Sequence, residues 1–81
     1  MEMQEVIAQI TPIFRDVLDN DDIQLTESTT AMDIEEWDSL NHIQLIVAIE
    51  KHFMVKFTSA EISAFKNVGE MCNTVLRKLA A

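Results

Sequence analysis

The chain has very little glycine, proline or cysteine, and each shortage excludes a class of structure. One Gly and one Pro among 81 residues leave few interruptions for helices, which favours a helical fold. The one cysteine, Cys72, cannot form an internal disulfide, and no cluster of Cys and His indicates a structural zinc site. We therefore expect residues 1–81 to form a single small domain that depends on its apolar core.

The sequence also lacks the signals that direct a chain to or across a membrane. No hydrophobic run approaches the roughly 18 residues that are needed to span a bilayer. The N-terminal segment, residues 1–5, is acidic, whereas signal peptides begin with basic residues. A free thiol at Cys72 fits a reducing compartment. These features predict a cytoplasmic protein that does not insert into membranes.

Basic residues are scarce as well: the formal net charge is −8. Carboxylates repel phosphates, so this charge argues against binding to nucleic acid or to anionic membrane surfaces. The acids are concentrated between residues 16 and 38, where there is no Lys or Arg. A basic surface on another protein is the natural complement, although a charged loop of this kind is equally compatible with solubility alone.

Apolar residues recur at helical spacing in four segments. Asp38 is a candidate N-cap for the second segment, and Thr58 and Glu61 have the spacing of a capping box at the start of the third. Pro12 lies within the first segment, where it predicts either a kink or a break with Thr11 as a new N-cap. The predicted helices cover residues 3–18, 39–53, 59–65 and 67–79.

The residues between the first two helices, 19–37, read as a long acidic loop whose scattered apolar residues, Trp37 among them, hold it against the core. A loop of this length in so small a domain is usually functional or disordered. The consistent apolar faces of the helices predict the following core: Ile7, Ile10, Phe14, Leu45, Ile49, Phe53, Val68, Cys72, Val75 and Leu79.

The second predicted helix has a further apolar stripe, formed by Leu40, Ile43 and Val47. This stripe is rotated well away from the core-facing side. A helix that is apolar on two sides is either central in its bundle or covered by a partner on its second side. Polar Gln44 and Lys51 flank the stripe, which favours a partner.

The sequence Asp38-Ser39-Leu40 begins this helix. Here the chain resembles the acyl carrier protein family, including the peptidyl carrier domains, whose attachment motif is Asp-Ser-Leu at the start of the second helix. Matching positions extend over nearly the whole chain and include Leu45, Phe53, Phe57, and residues 48–50 and 68–71. The resemblance implies an all-α four-helix bundle of acyl-carrier type, with a long loop between helices one and two and a short third helix.

The resemblance also implies a function. Ser39 would carry a covalent 4′-phosphopantetheine arm, attached from coenzyme A by a separate phosphopantetheinyl transferase that also recognises Asp38. The position suits the group, because a phosphodiester at a helix N-terminus meets unpaired N–H groups. The arm would hold acyl groups as thioesters and present them to acyl-transferring and condensing enzymes with basic docking surfaces, in fatty acid, polyketide or related biosynthesis.

Two further sets of residues are expected around this site. The expected partner surface on helix two consists of Leu40, Gln44, Val47, Glu50 and Lys51. The expected pocket for the acyl chain consists of Leu45, Ile46 and Ile62. The protein itself is expected to be a monomer without enzymatic activity.

Other functions remain as alternatives. Ser39 with His42 three residues later could suggest a nucleophile and base, but there is no oxyanion-hole signature and little room for a pocket. The acidic loop lacks the ligand pattern of a calcium-binding loop, and His42 and His52 do not have a metal-ligand spacing, so no metal site is expected. A peptidyl or aminoacyl carrier domain and an unmodified helical interaction module both remain open.

Overall fold

The computed structural model describes residues 1–80 and contains four helices in that range, with no strand. They are α1 (Met3–Val17), α2 (Ser39–Phe53), α3 (Ser59–Ala64) and α4 (Val68–Ala80). Helix α1 packs against both α2 and α4. The predicted all-α fold, with its long first loop and short third helix, is confirmed.

Helix α1 runs through Pro12 without interruption. Thr11 does not begin a second helix, so the alternative of a break at this residue is wrong. The Thr11 hydroxyl instead donates to the carbonyl oxygen of Ile7 at 2.7 Å, within the helix. Pro12 is exposed, and the buried face of α1 is formed by Val6, Ile10 and Phe14 at intervals of four residues.

The core lies between α1, α2 and α4, and the predicted core residues are buried with two exceptions. Ile7 is half-buried, since it lies at the edge of the face centred on Val6 and Ile10. Leu79 is 40% exposed, so its assignment to the core is wrong. It belongs to the last turn of α4, where Arg77 and Ala80 are exposed too.

The long loop between α1 and α2 is held in place near its start and at its middle, and by buried apolar side chains. Near α1, the Nε of Arg15 donates to the carbonyl oxygen of Ile23 at 2.9 Å. Near α4, the amides of Val68 and Gly69 donate to loop carbonyl oxygens at 2.9 and 2.8 Å. The apolar loop residues Ile23, Ile34 and Trp37 are buried. This anchoring fixes the point at which α2 begins.

Helix α3 differs from the others because none of its residues is buried. It begins with the predicted capping box, in which Thr58 and Glu61 each accept a hydrogen bond from the other's amide. Glu61 also pairs with Lys78 of α4 at 3.0 Å. Within residues 1–80, no helix has the length and apolar content that a membrane crossing requires.

Candidate functional site

Ser39 is the first residue of α2, and its side chain is exposed. The N-cap is Asp38, whose Oδ1 accepts a hydrogen bond from the Asn41 amide at 2.8 Å. The His42 amide donates to the Asp38 carbonyl oxygen. Among the described residues, no protein group accepts from the amides of Ser39 and Leu40. Two free N–H groups therefore lie beside the Ser39 hydroxyl.

A groove of about 490 Å³ opens beside Ser39, between the start of α2 and α3. Its lining combines apolar and aromatic groups with two serines, one carboxylate and one lysine. The lining residues are Ala31, Trp37, Asp38, Ser39, His42, Ile43, Ile62, Ser63, Phe65 and Lys66. A group attached to Ser39 would therefore have a partly apolar surface to lie against.

Trp37 and His42 form an ordered pair in this groove. The Trp37 ring packs edge-on against Phe14 of the core, with ring centroids 5.0 Å apart, and stacks on the His42 ring at 5.9 Å. The Trp37 Nε1 donates to His42 Nδ1 at 3.0 Å. On the opposite side of the ring, His42 Nε2 lies 3.4 Å from the carbonyl oxygen of Ile62 in α3. The expected role of Trp37 as a core anchor for the loop is confirmed.

The second apolar stripe of α2 is exposed: Leu40, Ile43 and Val47 are 69%, 52% and 42% accessible. Within residues 1–80 nothing covers it, so the stripe is not central in the bundle. The polar residues expected beside it, Gln44 and Lys51, are exposed as well.

Glu50 differs from the other residues of the expected partner surface. It is half-buried, and its carboxylate accepts a hydrogen bond from the Phe57 amide at 2.8 Å. It therefore holds the connection that follows α2. Glu50 is the only acid in this helix, so the exposed stripe itself carries no carboxylate.

The three residues expected to form an acyl pocket do not line one common space. Ile62 lines the groove and is half-buried. Leu45 and Ile46 are 0% and 2% exposed and lie in the packed core, outside the set of groove-lining residues.

Two groups outside the groove have shifted pKa values, Glu61 in α3 and Cys72 in α4. The pKa of Glu61 is lowered, first by the Thr58 amide that it accepts from and then by Lys78. Burial raises the pKa of the Cys72 thiol to about 12, and the Glu27 carboxylate adds to the effect. Cys72 is therefore an un-ionised core residue rather than a nucleophile. Among residues 1–80, no cluster of three or more His, Cys, Asp or Glu could hold a metal ion.

Sequence reasoning missed several residues of the groove. His42 lies one helical turn after Ser39, and this spacing already places both on the same side of α2. Phe65 and Lys66 follow α3 and are far from Ser39 along the chain. Only the fold brings them to the groove, so no local signal could have identified them.

Comparison with known proteins places the chain in a family. The family model described as a phosphopantetheine attachment site matches residues 8–75. The chain is 28% identical to an acyl carrier protein from Thermotoga maritima. This match extends over 76 residues, which are 94% of each of the two chains. The solution structure of holo acyl carrier protein from Geobacter metallireducens superposes with a TM-score of 0.87 and 48% identity, covering 93% of this chain and 86% of that one.

The family model covers well over half of the chain, and the chain belongs to the phosphopantetheine attachment family. Within that family, it is similar to acyl carrier proteins over nearly its whole length, in both sequence and structure. Its prosthetic group is accordingly phosphopantetheine.

Proposed function

We propose that this protein carries acyl groups as thioesters on a 4′-phosphopantetheine arm attached to Ser39. One observation carries the proposal: Ser39 is an exposed hydroxyl at the first position of α2, at the side of a groove, within the matched family region. Ser63 is a second exposed serine in the same groove, but it lies in α3 without the preceding aspartate.

The residues around Ser39 fit a phosphodiester. The free amides of Ser39 and Leu40 and the positive end of the α2 dipole favour a negative group at this position. Asp38 is close in sequence, but its carboxylate is held on the Asn41 amide, which partly compensates its charge. Lys66 contributes a cation to the same groove.

The attachment chemistry requires a transferase, which this chain does not supply. Ser39 Oγ would bond to the pantetheine-side phosphorus of the coenzyme A diphosphate and lose its proton to the transferase, while the P–O bond between the two phosphates breaks and adenosine 3′,5′-bisphosphate leaves. The attached thiol supplies the thioester linkage to the acyl group. The chain's own role is to expose Ser39, cap α2 through Asp38 and offer the groove, so we propose no catalytic activity for it.

The attachment is tested by weighing the unmodified protein after incubation with coenzyme A and a broad-specificity transferase. We expect one phosphopantetheine to be added to the wild-type protein and to Ser63→Ala, which serves as the matched control. Ser39→Ala should gain no mass. Modification of Ser39→Ala, or failure of both other proteins to be modified, would contradict the proposal.

We further propose that the docking surface is the exposed face of α2 formed by Leu40, Gln44, Val47 and Lys51. These residues follow one another at intervals of three or four and are exposed. Acyl-transferring and condensing enzymes with an apolar patch and a basic rim would fit, because carboxylates are concentrated in the neighbouring loop.

We propose that the protein acts as a cytoplasmic monomer and that residues 1–81 form one carrier domain.

For the cargo, we propose that the acyl chain follows the groove and contacts Ile62. Leu45 and Ile46 lie in the packed core, so reaching them would require a space to open there. Loading a long acyl chain should shift the Ile62 resonances most, and Leu45 and Ile46 only if the core opens. Changes limited to surface residues away from the groove would contradict this path.

We also propose a specialised pathway rather than the main fatty acid pathway of the host. Gln44 and Lys51 lie on the proposed docking surface of α2 and no acid does, so this surface offers few steering charges to strongly basic partners. In competition with the host's other carriers, the wild-type protein should be a poor substrate for the enzymes of fatty acid synthesis. Gln44→Glu with Lys51→Glu should improve it. Wild-type turnover equal to the best carrier would contradict this assignment.

A further inference from the structure

The imidazole of His42 bridges three parts of the molecule, and the proposed function does not use it. It contacts Trp37 at the end of the loop, belongs to α2, and reaches Ile62 in α3. An indole N–H only donates, so His42 Nδ1 must be the acceptor and carry no proton. The neutral ring then has its proton on Nε2, where it can donate to the Ile62 carbonyl oxygen. Both contacts therefore require the same tautomer.

The Ile62 carbonyl is one of the last four of α3, which have no partner within the helix. A regular helical partner would be the Lys66 amide, but that amide donates to the Glu70 carboxylate at 2.7 Å. His42 Nε2 thus supplies a donor to the C-terminal end of α3 from a different helix. The contact is long at 3.4 Å, beyond the usual N–H···O range, so it is a weak hydrogen bond.

Such a contact matters for α3 in particular. The helix has six residues, none of them buried, and is too short to be stable by itself. Its position depends on a few contacts: His42 on the side of the groove, the Glu61–Lys78 ion pair toward α4, and the packing of half-buried Ile62 and the adjoining Phe65 against the core. Of the two polar contacts, His42 is the one that lines the groove.

We propose that His42 is a positioning residue that holds α3 against α2 and so keeps the groove beside Ser39 narrow. This deepens the proposed function and rests on it, since the groove is where the attached arm would lie. When the contact to Ile62 opens, α3 moves away and the arm becomes accessible to a partner enzyme. Trp37 keeps the imidazole in the required tautomer and orientation.

The first test uses the unmodified protein and needs no arm. In His42→Phe, which keeps an aromatic ring beside Trp37 but loses both hydrogen bonds, amide exchange at Ile62 should be about fivefold faster, the factor expected for one lost hydrogen bond. The resonance of the Trp37 indole N–H should also shift. His42→Asn keeps a hydrogen-bond acceptor near the Nδ1 position, so the resonance of the Trp37 indole N–H should stay near its wild-type position. Because this variant has no donor that reaches the Ile62 carbonyl oxygen, amide exchange at Ile62 should still be faster. His52→Phe, at the exposed far end of α2, should change neither.

The second test uses the protein after one phosphopantetheine has been added and measures alkylation of the arm's thiol by iodoacetamide. We expect about threefold to fivefold faster alkylation in His42→Phe than in wild type, from the same lost hydrogen bond. Lys78→Met releases α3 only on the side of α4, so it should raise amide exchange in α3 and leave the thiol rate and the indole resonance unchanged.

The outcomes separate this proposal from the attachment itself. Faster exchange at Ile62 without faster alkylation would reduce His42 to a structural contact and overturn the positioning role. Unchanged exchange in both His42 variants would overturn the tether. If Ser39 gains no mass, the proposed function fails, and the exchange measurements on the unmodified protein still decide whether His42 holds α3.

Discussion

Helices α3 and α4 follow one another in the chain but are held in place by different forces. Six residues of α4 are buried, including Val68, Met71 and Cys72, whereas α3 has no buried residue. Helix α4 is therefore fixed by its buried side chains, and α3 by an ion pair, the contact with His42 and the partial packing of Ile62 and the adjoining Phe65. The groove beside Ser39 thus has one wall built on the core, α2, and one lightly held wall, α3.

The largest loss of stability should come from shortening a buried side chain of α4. Met71 is fully buried, and Met71→Ala should lower the free energy of unfolding by about 2–5 kcal/mol because a cavity is left in the core. Ile62 of α3 is only half-buried, so Ile62→Ala should cost roughly 1 kcal/mol. Chemical denaturation of both variants measures the difference. Equal losses would contradict the distinction between the two helices.

The Cys72 thiol reports on the same packing without any substitution. Burial raises its pKa to about 12, so at pH 8 it should react with iodoacetamide at least about 100-fold more slowly than in the unfolded chain. Because the folded pKa is raised, the associated stability is present below the ordinary thiol pKa of about 8.5 and is lost as the pH rises toward about 12. Rapid labelling of the native protein near neutral pH would show that α4 opens easily.

The next effect concerns the contact between α4 and the acidic loop. A Cβ at Gly69 would lie 2.8 Å from the backbone oxygen of Glu27, which is too close for either group to remain in place. Gly69→Ala should therefore cost about 1–3 kcal/mol, even though alanine is the better helix former. Asn73→Ala, on the exposed side of α4, should stay within about 0.5 kcal/mol of wild type. Greater stability in Gly69→Ala would refute the close contact.

The smallest change in stability is expected in α3 when the pH is lowered. The pKa of Glu61 is lowered by the Thr58 amide and by Lys78, so its stabilising contribution is present above the ordinary carboxyl value of about 4.3 and is lost as the pH falls through the lowered pKa. Resonances of α3 should follow this titration while those of α4 do not. Glu61→Gln should abolish the titration of α3; if it persists, another group controls this helix.

Much of the fold could be predicted because the controlling signals are local. Asp38, the Thr58–Glu61 pair and the apolar spacing of α4 each act within a few residues, and the structure places the helices accordingly. The end of α2 at residue 53 was also predicted, but nothing in the sequence indicated how this end is capped. Met54 adopts a left-handed conformation there, with φ of 58°, although glycine or asparagine is usual at such positions.

The site was predictable only in part for a related reason. Ser39 and the exposed stripe were found from sequence because both belong to one helix. The groove combines that helix with Phe65 and Lys66, which are brought there by tertiary packing. Glu50 resembled a free surface acid in sequence, and only the structure shows its carboxylate on the Phe57 amide.

The most direct test of the central claim is fragmentation mass spectrometry of the protein isolated from its native host. We predict phosphopantetheine on Ser39, in a peptide in which no other residue carries it, with an acyl group on the thiol in part of the sample. Such a spectrum would also identify the cargo. An unmodified Ser39 in protein from actively growing cells, or a phosphopantetheine on Ser63, would contradict the account.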